Sequence, residues 1–475
     1  MSGTSKPHGA NNSRSTESDI DETVTIIVVA LTKGLAVLLW WSVLFPMISI
    51  PTFATVWVGF RYGPVFGLVL AAVSGLALVA WSQLSPGSFQ QWVTQRMRIR
   101  WRTWWVYRHR WTAICTLHGL TARLNERTLV PALRSVTIGA ASDVVVVRIL
   151  TGQSVADWQH RSAALADAFR AQRVTIRSVK PGEIAITAHH GDALATPIRL
   201  RRPATDTRVD PSSVRVGVTE NSAWWRLPVL GQHILVGGAT GSGKGSVLWS
   251  IIAGLAPAVR VGWVRLLVID PKGGMEFGRG QTLFTGFAYD NGENTVGVLR
   301  AVTTVMGQRA ERLRGHTRLH TPTAAEPLIV LIVDEIASLT AYIGDRKTRT
   351  EVEQLLGLLL SQGRAVGVSV IAAVQDPSKD VLPIRQLFSI RVGLRMTEST
   401  HTAMVLGAAA REAGAVCDQI PTSTPGVAYV CEDGDAEPLR VRAFHITDPD
   451  IDYLTTHFAP HQPSASTSGN GSAHQ

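Results

Sequence analysis

Cysteine is scarce in this chain: Cys115, Cys417 and Cys431 are the only three in 475 residues. They lie far apart, are odd in number and form no C-x-x-C pair, which argues against a disulfide framework and a cysteine zinc site. Lysine is nearly as rare, seven residues against 39 arginines, so almost all of the positive charge behind the +10 balance is guanidinium. That balance suits an anionic partner, nucleic acid or a lipid surface. His316 and His320 have a ligand-like spacing in GHTRLH, but no carboxylate or cysteine completes the pattern. The amino terminus also lacks the basic n-region and the small-residue cleavage site of a secretory signal.

What is present is unevenly distributed. Residues 1–22 are polar with no apolar period, and a disordered tail is expected. A membrane anchor is expected over 23–83, with transmembrane helices near 24–45 and 64–82; each is apolar over the ~17–25 residues a span needs. Directly after them, RMRIRWRTWWVYRHRW lies inside a basic Arg/Trp segment, 84–112, as expected of a cytoplasmic membrane edge. Two spans place both termini in the cytoplasm, so the expected location is the cell membrane, multi-pass. Residues 113–205 predict a small α/β domain: DVVVVRIL as a strand, SVADWQHRSAALADAFRAQ as an amphipathic helix, and VTIRSVKPGEIAITAH as two strands about a Pro-Gly turn. From 206 to 447 strands alternate with helices, which implies a mainly parallel sheet. The stretch 448–475 reads as a polar C-terminal tail.

Chemistry concentrates in 206–447. The strand HILVGG runs into a glycine-rich loop, Gly238, Ala239, Thr240, Gly241, Ser242, Gly243 and Lys244, and GSVLWSIIAGLA continues as a helix. This is the phosphate-loop pattern in its required context: backbone N–H groups cradle phosphates, and Lys244 neutralises the β and γ charge of ATP. The next position normally carries a hydroxyl for Mg²⁺, but here it is Gly245, with Ser246 one residue late and ~100° further round the helix. Water held by Asp334 is expected to fill the vacated metal position, and Gly245→Ser is expected to tighten the hold on Mg²⁺. PLIVLIVDEIASL drives six apolar residues into Asp334 and Glu335, a pattern that predicts an Mg²⁺ carboxylate and a base for the attacking water. GVSVIAAVQDP ends in Gln375, a candidate γ-phosphate sensor, and LLVIDPKGG ends in Asp270-Pro271-Lys272.

Together these segments, with GRAVGVSVIAAVQDPSKDVLP and GVAYVCEDGDAEPLRVRAFHI, resemble the FtsK/SpoIIIE family of membrane-anchored DNA translocases over about 215–447. The single motor, the short anchor and the GKGS variant look most like TraB-type transfer proteins of actinomycete conjugative elements. The resemblance implies a RecA-like, cytoplasmic ATPase motor that uses ATP and Mg²⁺, stacked with a smaller domain as a homo-hexamer around double-stranded DNA. It implies Lys244, Asp334 and Glu335 in the ATPase site with Gln375 as sensor. It also implies an arginine from the neighbouring subunit: Arg391 in FSIRVGL, with Arg385 and Arg364 behind it. Many members end in a winged-helix module that reads DNA sequence, and 448–475 is too short to build one. Three functions are compatible with this reading: a conjugative motor working with other transfer proteins of its element, a chromosome-segregation translocase at division septa, and a nucleotide-binding membrane scaffold.

Overall fold

The computed structural model describes Thr32, Ser42 and residues 46–139, 142–378, 382–433 and 437–460. The expected tail 1–22 and, apart from Thr32 and Ser42, the expected span 24–45 lie outside the described residues. The chain divides into two compact units, one ending at His190 and one beginning at Gly191.

The first unit opens with two helices, Pro46–Tyr62 and Pro64–Leu84, joined at Gly63 in a positive-φ conformation. The apolar stretch between the two expected spans is thus itself helical. The helices meet so closely that a Cβ on Gly67 would lie 2.9 Å from the Gly59 Cα. Among the described residues, Pro64–Leu84 is the one helix long and apolar enough to cross a membrane. Large apolar side chains stay exposed on both helices, Phe53, Phe60, Leu68 and Leu76 among them.

The Arg/Trp segment that follows is helical, interrupted by π-helical turns at Gln90–Thr94 and Thr103–Arg108. Its residues split by environment. Trp101 and Trp105 are exposed and stacked, as an interfacial pair would be, whereas Tyr107 and Trp111 belong to a buried core. That core covers one face of a four-stranded antiparallel sheet, ordered Ala132–Ile138, Ser142–Arg148, Glu183–His189, Arg173–Lys180. The expected single amphipathic helix is two short ones, Val155–Gln159 and Ser162–Phe169, which still bury Trp158, Leu165 and Phe169.

The second unit is built on an 11-stranded sheet. Its parallel part runs Gly286–Ala288, Val264–Ile269, Leu328–Val333, Val368–Val374, Ile234–Gly237, Ile390–Gly393. Antiparallel strands Val427–Glu432, Leu439–His445, Val214–Thr219 and Trp224–Leu227 extend it. Strand side chains alternate between faces, and both faces are buried. Leu331 and Val333 join a core with helices Glu293–Leu313 and Arg346–Gln362, while Val330 and Ile332 join another with helix Lys244–Arg260. This double cover explains why LIVLIV reads as an unbroken apolar run rather than an alternating one.

One expectation needs correcting. The stretch 448–475 is not all tail, because Asp448–Phe458 is a helix that buries Ile451, Leu454 and Phe458 against the motor core. Thr447 and Asp450 close a capping box at its start, with Pro449 in the first turn.

Candidate active site

The parallel strands bring their carboxyl ends to one edge, and the candidate residues meet there. Gly243, at φ 101°, caps the helix Lys244–Arg260. Only glycine fits that corner, since a Cβ would press into the Gly426 backbone, 2.8 Å from its Cα. The strand ending in Asp334 and Glu335 is one place removed from the phosphate-loop strand, and the strand ending at Gln375 lies between them. A cleft of about 440 Å³ opens here, lined by Thr240, Gly241, Gly243, Lys244, Gly245, Ser246, Lys272, Met275, Glu276, Asp334, Gln375 and Pro425. Gly238 and Ala239 do not line it, but they hold its lysine: Lys244 Nζ donates to the carbonyls of Gly238 at 2.8 Å and Ala239 at 3.3 Å. Ser242 is buried, and its carbonyl accepts from Gly426 N at 2.9 Å.

Charge is crowded in the cleft. Lys244 is buried, which pulls its pKa down, and Glu335 works against that fall. Burial raises the Glu335 pKa, with Lys272 opposing. The Glu335 Oε1 accepts from the Gln375 backbone N–H at 3.3 Å, while Oε2 accepts no hydrogen bond. Lys272 lies 3.0 Å from Asp334 Oδ2 and 3.8 Å from Glu335 Oε2. Burial opposes the Lys272 charge, but Asp334 and Glu335 outweigh it and raise its pKa. Gln375 Oε1 accepts from the Thr240 hydroxyl at 3.1 Å, linking the sensor candidate to the loop.

Of the arginine candidates, none lines the cleft of its own chain. Arg391 sits within Ile390–Gly393, donating to Phe388 O at 3.2 Å and reaching Asp433 at 3.4 Å. Arg385 donates to Pro377 O and Arg364 to Gly231 O. His316 and His320 are not on one helix; His320 Nε2 lies 3.0 Å from Glu326 O.

Three residues at the site escaped the sequence reading. Lys272 was visible in IDPK but carried no role there. Arg395 donates to Thr240 O at 2.8 Å, a contact that only the fold reveals. Glu276 is the third, and it revises the expectation for Gly245. A Cβ on Gly245 would lie 2.8 Å from Glu276 Cδ and closer still to Oε1, so a serine at 245 has to displace this carboxylate. The cleft walls, then Asp334 and Asp270, push the Glu276 pKa up.

Of the acids lining the cleft, Asp334 and Glu276 offer the oxygen donors that a hard cation such as Mg²⁺ takes. Among the described residues no group of three or more His, Cys, Asp or Glu forms a metal site by itself. Mg²⁺ typically keeps waters and binds through one or two carboxylates plus phosphates, so this set fits a nucleotide-borne ion.

Residues 199–419 match the FtsK/SpoIIIE family, and residues 88–190 match the actinomycete conjugal transfer protein N-terminal domain. The chain is 28% identical to the transfer protein TraSA of Streptomyces ambofaciens, covering 64% of this chain and 76% of that one. It is 23% identical to a DNA translocase FtsK of Staphylococcus aureus, covering 72% of this chain and 44% of the relative, so it spans less than half of that protein. Among solved structures, the pCW3 conjugation coupling protein TcpA with ATPγS aligns at 20% identity and TM-score 0.48, covering 73% of this chain and 98% of that one.

Proposed function

We propose, from the premise that residues 199–419 are a domain of the FtsK/SpoIIIE family, that this chain is a membrane-anchored, ATP-driven translocase of double-stranded DNA. The observation that carries the reading is the convergence of Lys244, Asp334 and Gln375 on one cleft, with Glu335 beside them. The match of 88–190 to a conjugal transfer domain favours DNA transfer between cells over chromosome segregation. The exposed apolar helix Pro64–Leu84 supports the anchor.

The chemistry follows from the placement of the side chains. Loop backbone N–H groups and Lys244 hold the phosphates of ATP, and the helix start at Lys244 adds its partial positive charge. Asp334, with Glu276 on the same cleft, would hold Mg²⁺, and the ion would neutralise phosphate charge when bound. Glu335 Oε2, free of hydrogen bonds, accepts a proton from water as the water oxygen attacks the γ-phosphorus and ADP departs. Burial makes Glu335 a stronger base than a surface carboxylate. Gln375 is the proposed γ-phosphate sensor, a role supported by its hydrogen bonds to Thr240 of the loop and to Glu335.

The test is ATP turnover by the detergent-solubilised chain with and without duplex DNA. Duplex DNA should stimulate turnover. Lys244→Ala should lose nucleotide binding, whereas Glu335→Gln should bind ATP and hydrolyse it at least about a hundredfold more slowly. A Glu335→Gln enzyme with wild-type turnover removes Glu335 as the base. A chain that binds nucleotide yet never hydrolyses it, with or without DNA, is a scaffold and not a motor.

A further inference from the structure

The hydroxyl missing after Lys244 leaves a gap, and one side chain fills it. The Glu276 carboxylate occupies the space that a side chain on Gly245 would need, with Cδ 2.8 Å and Oε2 3.3 Å from where the Cβ would stand. A side chain at 245 and this carboxylate cannot both keep these positions, so one of them has to shift. We propose that Glu276 supplies the Mg²⁺ oxygen ligand that a serine or threonine at 245 would otherwise provide, an assignment that rests on the ATPase reading above.

The backbone that carries Glu276 is held in place. Asp270, fully buried, accepts the N–H groups of Glu276 at 2.9 Å and Phe277 at 3.1 Å through Oδ2. Phe277 is fully buried too, with its ring 5.2 Å from that of Trp249 on the phosphate-loop helix. Gly273 and Gly274, both with φ near 75°, turn the chain back so that this can happen. The loop after the IDPK strand is thereby fastened to the helix that Lys244 begins. Glu276 also faces Asp334, and two acids at one cleft wall call for a shared cation. Lys272 pairs with Asp334 at 3.0 Å, and Lys272 and Lys244 also act on Glu276 by charge. An oxygen donor of either kind satisfies Mg²⁺, which selects for hardness and octahedral geometry rather than for a hydroxyl. The glycine at 245 is thus compensated from the loop after the Val264–Ile269 strand.

Metal binding tests the assignment independently of turnover. Mn²⁺, read by electron paramagnetic resonance, is titrated into the full chain in detergent with ATPγS, and ATPγS binding in EDTA serves as the metal-free control. Glu276→Gln keeps the side-chain volume and removes the charge; Glu276→Ala empties the space. Both should weaken Mn²⁺ by about tenfold or more, the scale on which even outer-shell partners act, while binding ATPγS normally in EDTA. Gly245→Ser combined with Glu276→Ala should recover most of the lost affinity, and Gly245→Ser alone should gain none. Wild-type Mn²⁺ affinity in Glu276→Gln and Glu276→Ala, or a gain from Gly245→Ser alone, overturns the assignment while the ATPase reading stands. A wild-type chain that binds no ATPγS with or without metal overturns that reading and this assignment with it.

Discussion

His233 lies at the foot of the phosphate-loop strand, fully buried, and its Nδ1 accepts the Val370 backbone N–H at 3.0 Å. Burial, with Arg364 nearby, lowers its pKa to about 4. A histidine whose folded pKa is depressed contributes stability that is intact above the unfolded value and is lost as pH falls from about 6.5 towards 4. Protonation also places a hydrogen on Nδ1, where the Val370 N–H already points. Between pH 7 and pH 5 the loss is about 2 kcal/mol. Glu335 and Glu276, with raised pKa values, work in the opposite direction, because the folded state holds their protons more tightly. Comparison with a non-titrating variant separates the two. His233→Gln should be less stable than wild type at pH 7 yet lose less on acidification. The check is the motor unit's melting temperature at pH 7 and pH 5. An equal drop in both proteins rules out His233 as the acid-sensitive group.

Elements differ in how much of them the sequence shows. The acidic strand and the phosphate loop were legible because six apolar residues ending in two acids, or glycines ending in a lysine, admit few other structures. The helix Asp448–Phe458 was missed although its signals were present: Thr447, Pro449 and Asp450 at the start, then Ile451, Leu454 and Phe458 on one face. A Ser- and Gly-rich stretch beyond it drew the reading towards a tail. Glu276 was illegible for a different reason. Its role depends on the loop after one strand meeting the start of a helix at Gly245, and no local period encodes that meeting. The C-terminal helix has a measurable consequence. Leu454 is fully buried, so Leu454→Ala should cost about 2–5 kcal/mol. Asp452 pairs with Arg279 in solvent, where such pairs contribute little, so Asp452→Ala should be much the milder change. Chemical denaturation of both variants decides it; equal, small losses would mean that the helix does not dock.

At the scale of the whole molecule, one chain holds a cleft lined by the phosphate loop, Lys272, Glu276 and Asp334, but none of the three candidate arginines lines it. Arg391 is held by Phe388 O and Asp433 on the strand beside the phosphate loop. If it completes a site, that site belongs to another copy of the chain, which is what a hexameric motor requires. Arginines acting in this way accelerate other nucleotide hydrolases by about 10³–10⁵, so Arg391→Ala alone should be nearly inactive while still binding ATP. Mixing then discriminates. Arg391→Ala subunits keep Glu335, and Glu335→Gln subunits keep Arg391. Where an Arg391→Ala cleft faces the arginine of a Glu335→Gln neighbour, both functional groups are present at one interface. Mixed assemblies should therefore regain turnover that neither parent shows, most strongly near equal proportions. An arginine that serves only its own fold, through Asp433 and the Phe388 carbonyl, cannot be supplied by a neighbour, and mixing would restore nothing. Full activity in Arg391→Ala would pass the role to Arg385 or Arg364, and the same mixing with those variants would identify which.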